Sequence, residues 1–439
     1  MTSNISKGTA SWLLQYLVFD SHTMSSAPLI NAPIRGPYTA FLSSDGKSVF
    51  LSSYLPLDTA DAVERKTREQ TEYPVDVKLP SREYIKVSKE QLTAKQTPEP
   101  PIEITVDQDA NSPPKVYAAD PKSHEKTLLL DLNPQFRQLE FGRVETEEWE
   151  VSGAAIIGGL YLPPDYQPGK RYPLVIQTHG FEPKEFSMDG RSEWSSAFSA
   201  RALAARGVLV LQAQNFKDYK KDHDRIGDDR SLGATPQESF KNFNQLEYEG
   251  AIDILDKKGM IDRHRVGIVG FSRTVCFVAY TLTHSTHRFA AASLVDGIGC
   301  GYFDELTYPS VAWDYDALNG GAAPFGEGLK LWMKNSPGFN LDKVNAPIRL
   351  LGVSGRGTLL GALWEWYAGL SLQKKPVDLV LIPGGTHLLV KPRERAIAQQ
   401  GLVDWFCFWL KGEEDPDPAK AEQYARWREL RKLQQQNSN

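Results

Sequence analysis

The chain has 439 residues, of which 41% are hydrophobic and 24% are charged, a composition that is typical of folded globular proteins and excludes global disorder. Its formal net charge of −5 provides no basic field for nucleic acid, and no apolar run reaches the ~20 residues that cross a bilayer. The three cysteines, Cys276, Cys300 and Cys407, are too few for a disulfide framework or a metal cluster, and Cys276 is expected to be a small buried hydrophobe.

Residues 1–142 carry signals for strands and turns rather than for helices. Residues 38–53 (YTAFLSSDGKSVFLSS) predict two short strands around Asp45-Gly46, because Asp-Gly supplies the positive φ angles of a tight hairpin turn. Residues 114–132 repeat this pattern around a polar turn, whereas residues 58–113 hold many charges and prolines. The first region is therefore predicted to be all-β.

Residues 143–412 predict alternating strands and helices. Apolar strands are expected at 172–178, 208–212, 265–271, 289–295, 348–354 and 377–382, after a hairpin that turns at Ser152-Gly153. Helices are expected at 195–206, 237–258, 359–374 and 392–411, and from residue 272 onward. Strands that alternate with helices indicate an α/β fold, and the continuous apolar strands indicate a mostly parallel sheet that is covered on both faces.

Two further segments have their own character. Residues 216–230 (FKDYKKDHDRIGDDR) are highly charged and are expected to form a solvated loop. Residues 413–439 are predicted to be a separate helical tail, because Asp417-Pro418 is an N-cap followed by proline at the first helical position. In this tail Tyr424 and Trp427 have the spacing of a helix that packs on the domain surface, and a partner-binding helix is the alternative.

Gly270-Phe271-Ser272-Arg273-Thr274 lies between a buried strand and a predicted helix, which is the setting of a nucleophile elbow. The sharp turn would lift the Ser272 hydroxyl off the end of the sheet, and the helix N-terminus would favour negative charge there. Thr274 stands where this pattern usually has a second glycine. We therefore expect Ser272 to be a nucleophile, with a plain N-cap serine as the alternative.

His387 follows the last predicted strand and is the expected base, because an α/β-hydrolase places its histidine there. A loop histidine without a function is the alternative. The negative charge that develops on the substrate carbonyl oxygen also needs hydrogen-bond donors. We expect the Arg273 N–H to be one donor, and His179 or its neighbouring backbone to be the other, although a structural role for His179 is also open.

Three stretches together resemble the catalytic domain of the prolyl oligopeptidase family (S9 serine peptidases): GLYLPPDYQPGKRYPLVIQTHGF, VGIVGFSR and KPVDLVLIPGGTHLLVKPRERAIAQQGLVDWFCFWL. The resemblance covers roughly residues 140–412. It implies an α/β-hydrolase domain joined to an N-terminal β-propeller, short peptide substrates, and roles as nucleophile and base for Ser272 and His387. His179 matches the position of an oxyanion-hole tyrosine or histidine in this family. We expect that the reaction requires no cofactor or metal.

The acid of this family is absent at its expected position, which is near Gly355 in the loop of residues 354–358. Glu365 is the nearest downstream carboxylate and the tentative acid, although it lies about two turns into a predicted helix. Asp296 follows the strand at 289–295, where some α/β-hydrolases hold the acid, and is the alternative. A Ser–His dyad without an acid is a third reading, and the loss of the acid can lower turnover by orders of magnitude.

Residues 1–142 are too short for a closed propeller, because a blade takes ~40–50 residues and a ring needs at least four blades. They resemble the last blades of the family propeller, particularly in the hairpin at 38–53. An open partial propeller exposes strand edges. We therefore expect a truncated chain, a different packing of these strands, or a second copy of the chain or another protein that covers the edge.

The predicted function is hydrolysis of peptide bonds in short peptides through an acyl-enzyme on Ser272, with His387 as the base. Two alternatives stay open: an esterase or other acyl hydrolase with the same residues, and a catalytically impaired binding protein, because no acid stands near Gly355. Residues 12–19 lack the features of a signal peptide, which favours a cytoplasmic protein, or a periplasmic or secreted one if a longer parent carries the signal.

Overall fold

A computed structural model describes residues 13–14, 16–20, 25–30, 34–35, 40–43, 45–51, 74–88, 103–190, 197–214, 216–308, 311–353 and 357–437. The chain divides into two compact units, the first within residues 1–104 and 118–127 and the second within residues 105–117 and 128–439. The domain boundaries that the sequence predicts, at residues 142 and 412, stay predictions.

Apart from a short 3₁₀ segment at Pro134–Gln138, the described elements of residues 1–142 are strands, as the sequence predicted: β1 Leu13–Leu14, β2 Leu17–Asp20, β3 Ser25–Pro28, β4 Ile34–Arg35, β5 Ala40–Leu42, β6 Ser48–Leu51, β7 Val75–Lys78, β8 Tyr84–Lys86, β9 Glu103–Asp109, β10 Ser112–Ala119 and β11 Lys126–Asp131. Strands β5 to β8 form a four-stranded antiparallel sheet, which is the size of one propeller blade. Its first turn contains Gly46 at a φ of 68°, at the predicted Asp-Gly hairpin.

The second unit is built on a mixed sheet of eight strands: β12 Val144–Val151, β13 Ala154–Tyr161, β14 Tyr172–Gln177, β15 Leu209–Gln214, β16 Ile261–Phe271, β17 Ala291–Val295, β18 Ile348–Val353 and β19 Val377–Ile382. Their order in the sheet is β12-β13-β15-β14-β16-β17-β18-β19. The pairs β12–β13 and β13–β15 are antiparallel, and the other pairs are parallel. The predicted mostly parallel α/β-hydrolase sheet is therefore confirmed.

The helices of the described residues are α1 Ala200–Ala204, α2 Tyr219–Asp228, α3 Pro236–Lys257, α4 Thr274–His284, α5 Tyr302–Thr307, α6 Ala312–Leu318, α7 Gly328–Asn335, α8 Gly357–Leu372, α9 Pro392–Phe406 and α10 Ala421–Asn437. Short 3₁₀ segments lie at Pro134–Gln138, Pro337–Lys343 and Pro418–Lys420, and a π turn at Cys407–Lys411 follows α9. None of the helices in the described part of the chain is long and apolar enough to cross a membrane.

The prediction of a loop at residues 216–230 is wrong for most of that segment, because residues 219–228 form α2. The Asp218 side chain accepts a hydrogen bond from the Lys221 N–H at 3.1 Å and so caps the first turn of this helix. The charged composition of the segment concealed this cap. The helix predicted from residue 195 is shorter than expected, because α1 begins at Ala200 and residues 191–196 lie outside the described residues.

The core of the second unit has two halves, one on each face of the sheet. Successive residues of β18 point to opposite faces, so Leu350 packs in one half and Leu351 in the other. Helices α3, α4 and α8 cover the first face, and α9 and α10 cover the second. Tail helix α10 buries Trp427, whose indole N–H donates to Asp378 at 2.7 Å, so the tail packs against its own unit.

Candidate active site

The carboxyl ends of the parallel strands meet at one edge of the sheet, which is where ligands bind in α/β folds. Ser272 follows β16 directly, and Asp296 follows the neighbouring strand β17. His387 lies in the connection between β19 and α9. Three residues that are distant in the sequence therefore arrive at the same edge.

Ser272 sits on a strained turn between β16 and α4, with a φ of 54°. The turn is tight: a Cβ on Gly270 would lie 2.9 Å from the carbonyl oxygen of Thr274 and 3.0 Å from the Cα of Val275. Only glycine allows this approach of strand and helix. Together with the hydrogen bond from the Ser272 N–H to the Val295 carbonyl at 3.2 Å, the geometry is that of a nucleophile elbow.

Thr274 replaces the second glycine of the elbow pattern and takes part in the turn through its hydroxyl. Its Oγ accepts a hydrogen bond from the Phe271 N–H at 3.0 Å and also lies 2.8 Å from the Phe271 carbonyl oxygen. The hydroxyl of Thr178, from the end of β14, lies 2.5 Å away from it. The departure from glycine thus adds side-chain hydrogen bonds to the elbow rather than breaking it.

The His387 ring joins the serine to a carboxylate. Its Nε2 lies 2.8 Å from Ser272 Oγ, and its Nδ1 lies 2.6 Å from Asp296 Oδ2. Because a carboxylate accepts hydrogen bonds, Nδ1 carries the proton in the neutral ring, and Nε2 is then free to accept the serine O–H. The ring also stacks on Phe271 with centroids 4.7 Å apart, which fixes its plane.

Asp296, which the sequence offered as the alternative acid, is held firmly in place. Its side chain is 2% exposed. Its Oδ1 accepts a hydrogen bond from the Val353 N–H at 3.2 Å, and its own N–H donates to the Leu351 carbonyl at 2.7 Å. A Cβ on the following Gly297 would lie 2.2 Å from the Ser272 carbonyl oxygen, so the acid loop and the elbow pack directly against each other.

Glu365, the tentative acid, lies elsewhere. Its carboxyl is buried in α8 and accepts a hydrogen bond from the Tyr302 N–H at 3.1 Å, while the Nδ1 of His387 is taken by Asp296. Burial, together with the nearby Asp304 carboxyl, raises the pKa of Glu365 to about 8. The tentative assignment is corrected on this geometry: Glu365 caps the first turn of α5. Gly355 lies outside the described residues.

Arg273 and His179, the two residues expected to donate hydrogen bonds to the oxyanion, have different surroundings in the structure. The Arg273 backbone precedes the first turn of α4, where N–H groups have no intrahelical acceptor. The His179 Nε2 lies 2.6 Å from the Phe271 carbonyl oxygen and must donate to it, because a carbonyl only accepts. This nitrogen therefore holds the elbow backbone. The backbone of His179 and Gly180, with φ angles of 80° and 87°, stays the expected second donor.

A disulfide joins Cys276 to Cys300 with 5.2 Å between their Cα atoms, so the expectation that Cys276 is only a buried hydrophobe is wrong. Cys276 lies one turn beyond the elbow in α4, and Cys300 lies four residues beyond Asp296. The bond therefore ties the helix behind the nucleophile to the acid loop. Cys407 is free and buried. No group of three or more His, Cys, Asp or Glu side chains in the described ranges is arranged to hold a metal ion.

Comparison with known proteins gives a consistent result. Residues 244–413 match the model of the prolyl oligopeptidase family. The chain is 30% identical over 343 residues to the lasso peptide isopeptidase AtxE2 of Asticcacaulis excentricus, covering 76% of this chain and 47% of that protein. It is 22% identical over 266 residues to dipeptidyl-peptidase 5 of Porphyromonas gingivalis, covering 60% of this chain and 37% of that protein. The chain spans less than half of the length of these curated relatives.

Solved structures show the same fold. The structure of AtxE2 isopeptidase without a ligand superposes with a TM-score of 0.67 at 19% identity, over 96% of this chain and 84% of that chain. An acylaminoacyl peptidase of Pyrococcus horikoshii superposes with a TM-score of 0.56 at 18% identity, over 88% of this chain and 57% of that chain. The match to the prolyl oligopeptidase family of serine peptidases therefore lies within the α/β-hydrolase domain of the chain.

Proposed function

We propose that this chain is a serine peptidase that hydrolyses amide bonds of short peptides through an acyl-enzyme on Ser272. The observation that carries the proposal is the hydrogen-bonded series from Ser272 Oγ to His387 and from His387 to Asp296, at 2.8 Å and 2.6 Å. Nucleophile, base and orienting acid are thus in contact, which is the arrangement that activates a serine.

In the first half of the reaction, Ser272 Oγ bonds to the substrate carbonyl carbon while its proton passes to His387 Nε2. Asp296 stabilises the resulting imidazolium through Nδ1–H. The carbonyl oxygen becomes an oxyanion, and the Arg273 N–H and the backbone near Gly180 are the proposed donors to it. The C–N bond then breaks, His387 Nε2 gives its proton to the leaving amine, and an ester on Ser272 remains.

In the second half, water replaces the amine. His387 Nε2 takes a proton from the water molecule as its oxygen bonds to the ester carbon. The second tetrahedral intermediate collapses by breaking the bond to Ser272 Oγ, which recovers its proton from the imidazolium. The products are a carboxylic acid and the free enzyme, and no cofactor takes part in this proposal.

A second candidate is cleavage of an isopeptide bond, in which a side-chain carboxyl rather than an α-carboxyl forms the amide. The 30% identity to the isopeptidase AtxE2 favours it. The chemistry at Ser272 is the same, since both substrates are secondary amides. Cleavage after proline, the specificity that gives the family its name, is a third form of the same proposal.

The test is a panel of substrates of similar size: a linear amide and an ester of the same acyl group, an amide formed by a side-chain carboxyl, and an amide formed by the carboxyl of a proline residue. We expect amide hydrolysis by the wild-type protein that is abolished in Ser272→Ala. Hydrolysis of the ester alone would support the acyl hydrolase alternative. A folded wild-type protein that hydrolyses none of them would support the binding-protein alternative and contradict the proposal.

A further inference from the structure

A cavity of about 320 Å³ lies beside the elbow, which is within the size range of small ligand pockets. Arg273 and Thr274, the two residues that follow the nucleophile, form part of its wall. Glu247 of α3 lines the cavity as well. A group bound here would therefore be attached to a substrate backbone that passes close to Ser272.

Glu247 is an unusual residue for such a place. Its side chain is fully buried, and neither carboxyl oxygen has a hydrogen-bond partner among the described residues. Its backbone carbonyl accepts a hydrogen bond from the Trp149 indole N–H at 3.1 Å. An unpartnered buried carboxyl is costly and rare in native proteins, so its presence calls for an explanation. Burial raises its pKa to about 8.

Among the described residues, no cationic side chain is paired with Glu247. Of those described residues that line the cavity, Arg273 is the one Lys or Arg, and its guanidinium is paired with both carboxyl oxygens of Asp314. The ion pairs of the described residues include none to Glu247. The Nε2–H of His179 donates to the Phe271 carbonyl. Glu247 therefore lines the cavity with carboxyl oxygens that no described cation pairs with.

The walls suit a long side chain with a charged end. Tyr219 is 62% exposed, whereas Phe216 is buried beside it with ring centroids 6.2 Å apart. Tyr248 is buried next to Glu247. The cavity thus has aromatic sides between an exposed tyrosine and a buried carboxyl. Lysine and arginine combine an apolar stem with a cationic head, and aromatic faces attract such heads.

We propose that this cavity is a specificity pocket for a lysine or arginine side chain of the peptide substrate, and that the Glu247 carboxyl gives up its proton to water when the cation enters and then binds the charged head as a carboxylate. The inference rests on the proposed peptidase function, because it assigns a substrate class to the same site. Glu247 acts on substrate binding and takes no part in proton transfer at Ser272.

The test uses N-acetylated, internally quenched peptides in which one position at a time carries lysine or norleucine. Norleucine keeps the stem of lysine and lacks the ammonium group, and acetylation removes the terminal amine. At one position we expect the wild-type protein to cleave the lysine peptide with a kcat/KM at least about tenfold higher than that of the norleucine peptide. In Glu247→Gln this ratio falls below about threefold, because a neutral amide no longer attracts the cation.

Glu249→Gln is the matched control. Glu249 lies on the same helix, but its carboxyl accepts from Gln245 and Ser285, and it does not line the cavity. The control should keep the wild-type ratio. The proposal is overturned if the wild-type protein shows no lysine preference at any position, or if Glu247→Gln keeps the preference in full.

A binding experiment separates this proposal from the peptidase function itself. The Ser272→Ala protein is titrated with millimolar N-acetyl-lysine methylamide or its norleucine analogue, and binding is followed by thermal shift and NMR. We expect the lysine compound alone to bind, and Glu247→Gln in the same background to abolish this binding. If the wild-type protein cleaves no peptide but only the lysine compound binds, the proposed peptidase function is wrong and the proposed pocket is retained. Equal binding of the two compounds would overturn the proposed pocket.

Discussion

The carboxylate of Asp296 lies 2.6 Å from Nδ1 of His387, although the two residues are 91 positions apart in the sequence. Asp296 reaches the ring from the end of β17, one strand before β18, whose following loop was the expected place of the acid. Its other oxygen is held by the Val353 N–H from the end of β18. A neighbouring strand thus supplies the carboxylate that the sequence lacks near Gly355.

Asp296→Asn should lower kcat by about 10³- to 10⁴-fold, because an amide no longer holds the Nδ1–H tautomer of His387. KM should change little, since Asp296 is buried behind the ring. The measurement is steady-state hydrolysis of the best amide substrate of the panel.

Glu365→Gln is the matched control for this substitution and should keep activity within about threefold. The Glu365 carboxyl is neutral at neutral pH, because burial raises its pKa to about 8, and glutamine keeps an acceptor for the Tyr302 N–H. A large loss in Glu365→Gln together with full activity in Asp296→Asn would reverse the assignment.

His179→Ala should lower kcat by about ten- to a hundredfold, since it removes one of the two side-chain donors to the Phe271 carbonyl that precedes the nucleophile. His179 is a positioning residue in this account. His179→Gln, which retains a side-chain N–H, should recover part of the rate at unchanged KM. Wild-type kcat in His179→Ala would show that the elbow needs no such support.

The pKa of Glu365 also makes stability depend on pH. The unfolded chain ionises this carboxyl above its ordinary pKa of 4.5, whereas the folded protein keeps the proton up to a pKa of about 8. The folded state therefore binds more protons in this window, and the free energy of unfolding falls as pH rises through it. Thermal unfolding at about pH 5 and about pH 8 should show a smaller fall in Glu365→Gln than in wild type. An equal fall in both would exclude this carboxyl as a source.

The Cys276–Cys300 bond closes a loop with a sequence separation of 24 residues, which corresponds to about 3 kcal/mol of stabilisation. A reducing agent should therefore lower the Tm of the wild-type protein. Cys276→Ala combined with Cys300→Ala should start at the lower Tm and not respond to the reductant. Cys407→Ala is the control and should respond as wild type does, because Cys407 is not bonded. A wild-type Tm that is the same with and without the reducing agent would contradict the presence of this disulfide.

Ser272 and His387 could be predicted from the sequence because the strands and helices next to each of them can be recognised there. Ser272 lies between an apolar strand and a helix, and His387 follows the last strand. The choice between Asp296 and Glu365 could not be made in this way, since it depends on which strand ends face each other across the sheet. The turn at Val295-Asp296-Gly297 directly after a buried strand was the available signal.

Glu247 and the disulfide were missed for different reasons. Phe243, Glu247 and Ala251 recur at intervals of four on the buried side of α3, so a carboxylate on an apolar stripe was visible in the sequence. The cavity that it lines is formed by several separate segments, which no local pattern predicts. Likewise, three cysteines without a known fold do not show which two meet.

The most direct test of the central claim is labelling of the purified protein with a fluorophosphonate probe, followed by mass spectrometry of the labelled peptide. The probe reacts with an activated serine and needs no knowledge of the substrate. We expect one labelled residue, Ser272, and no labelling in Ser272→Ala or in His387→Ala at the same probe concentration. A folded wild-type protein that stays unlabelled, or a label on another serine, would contradict it.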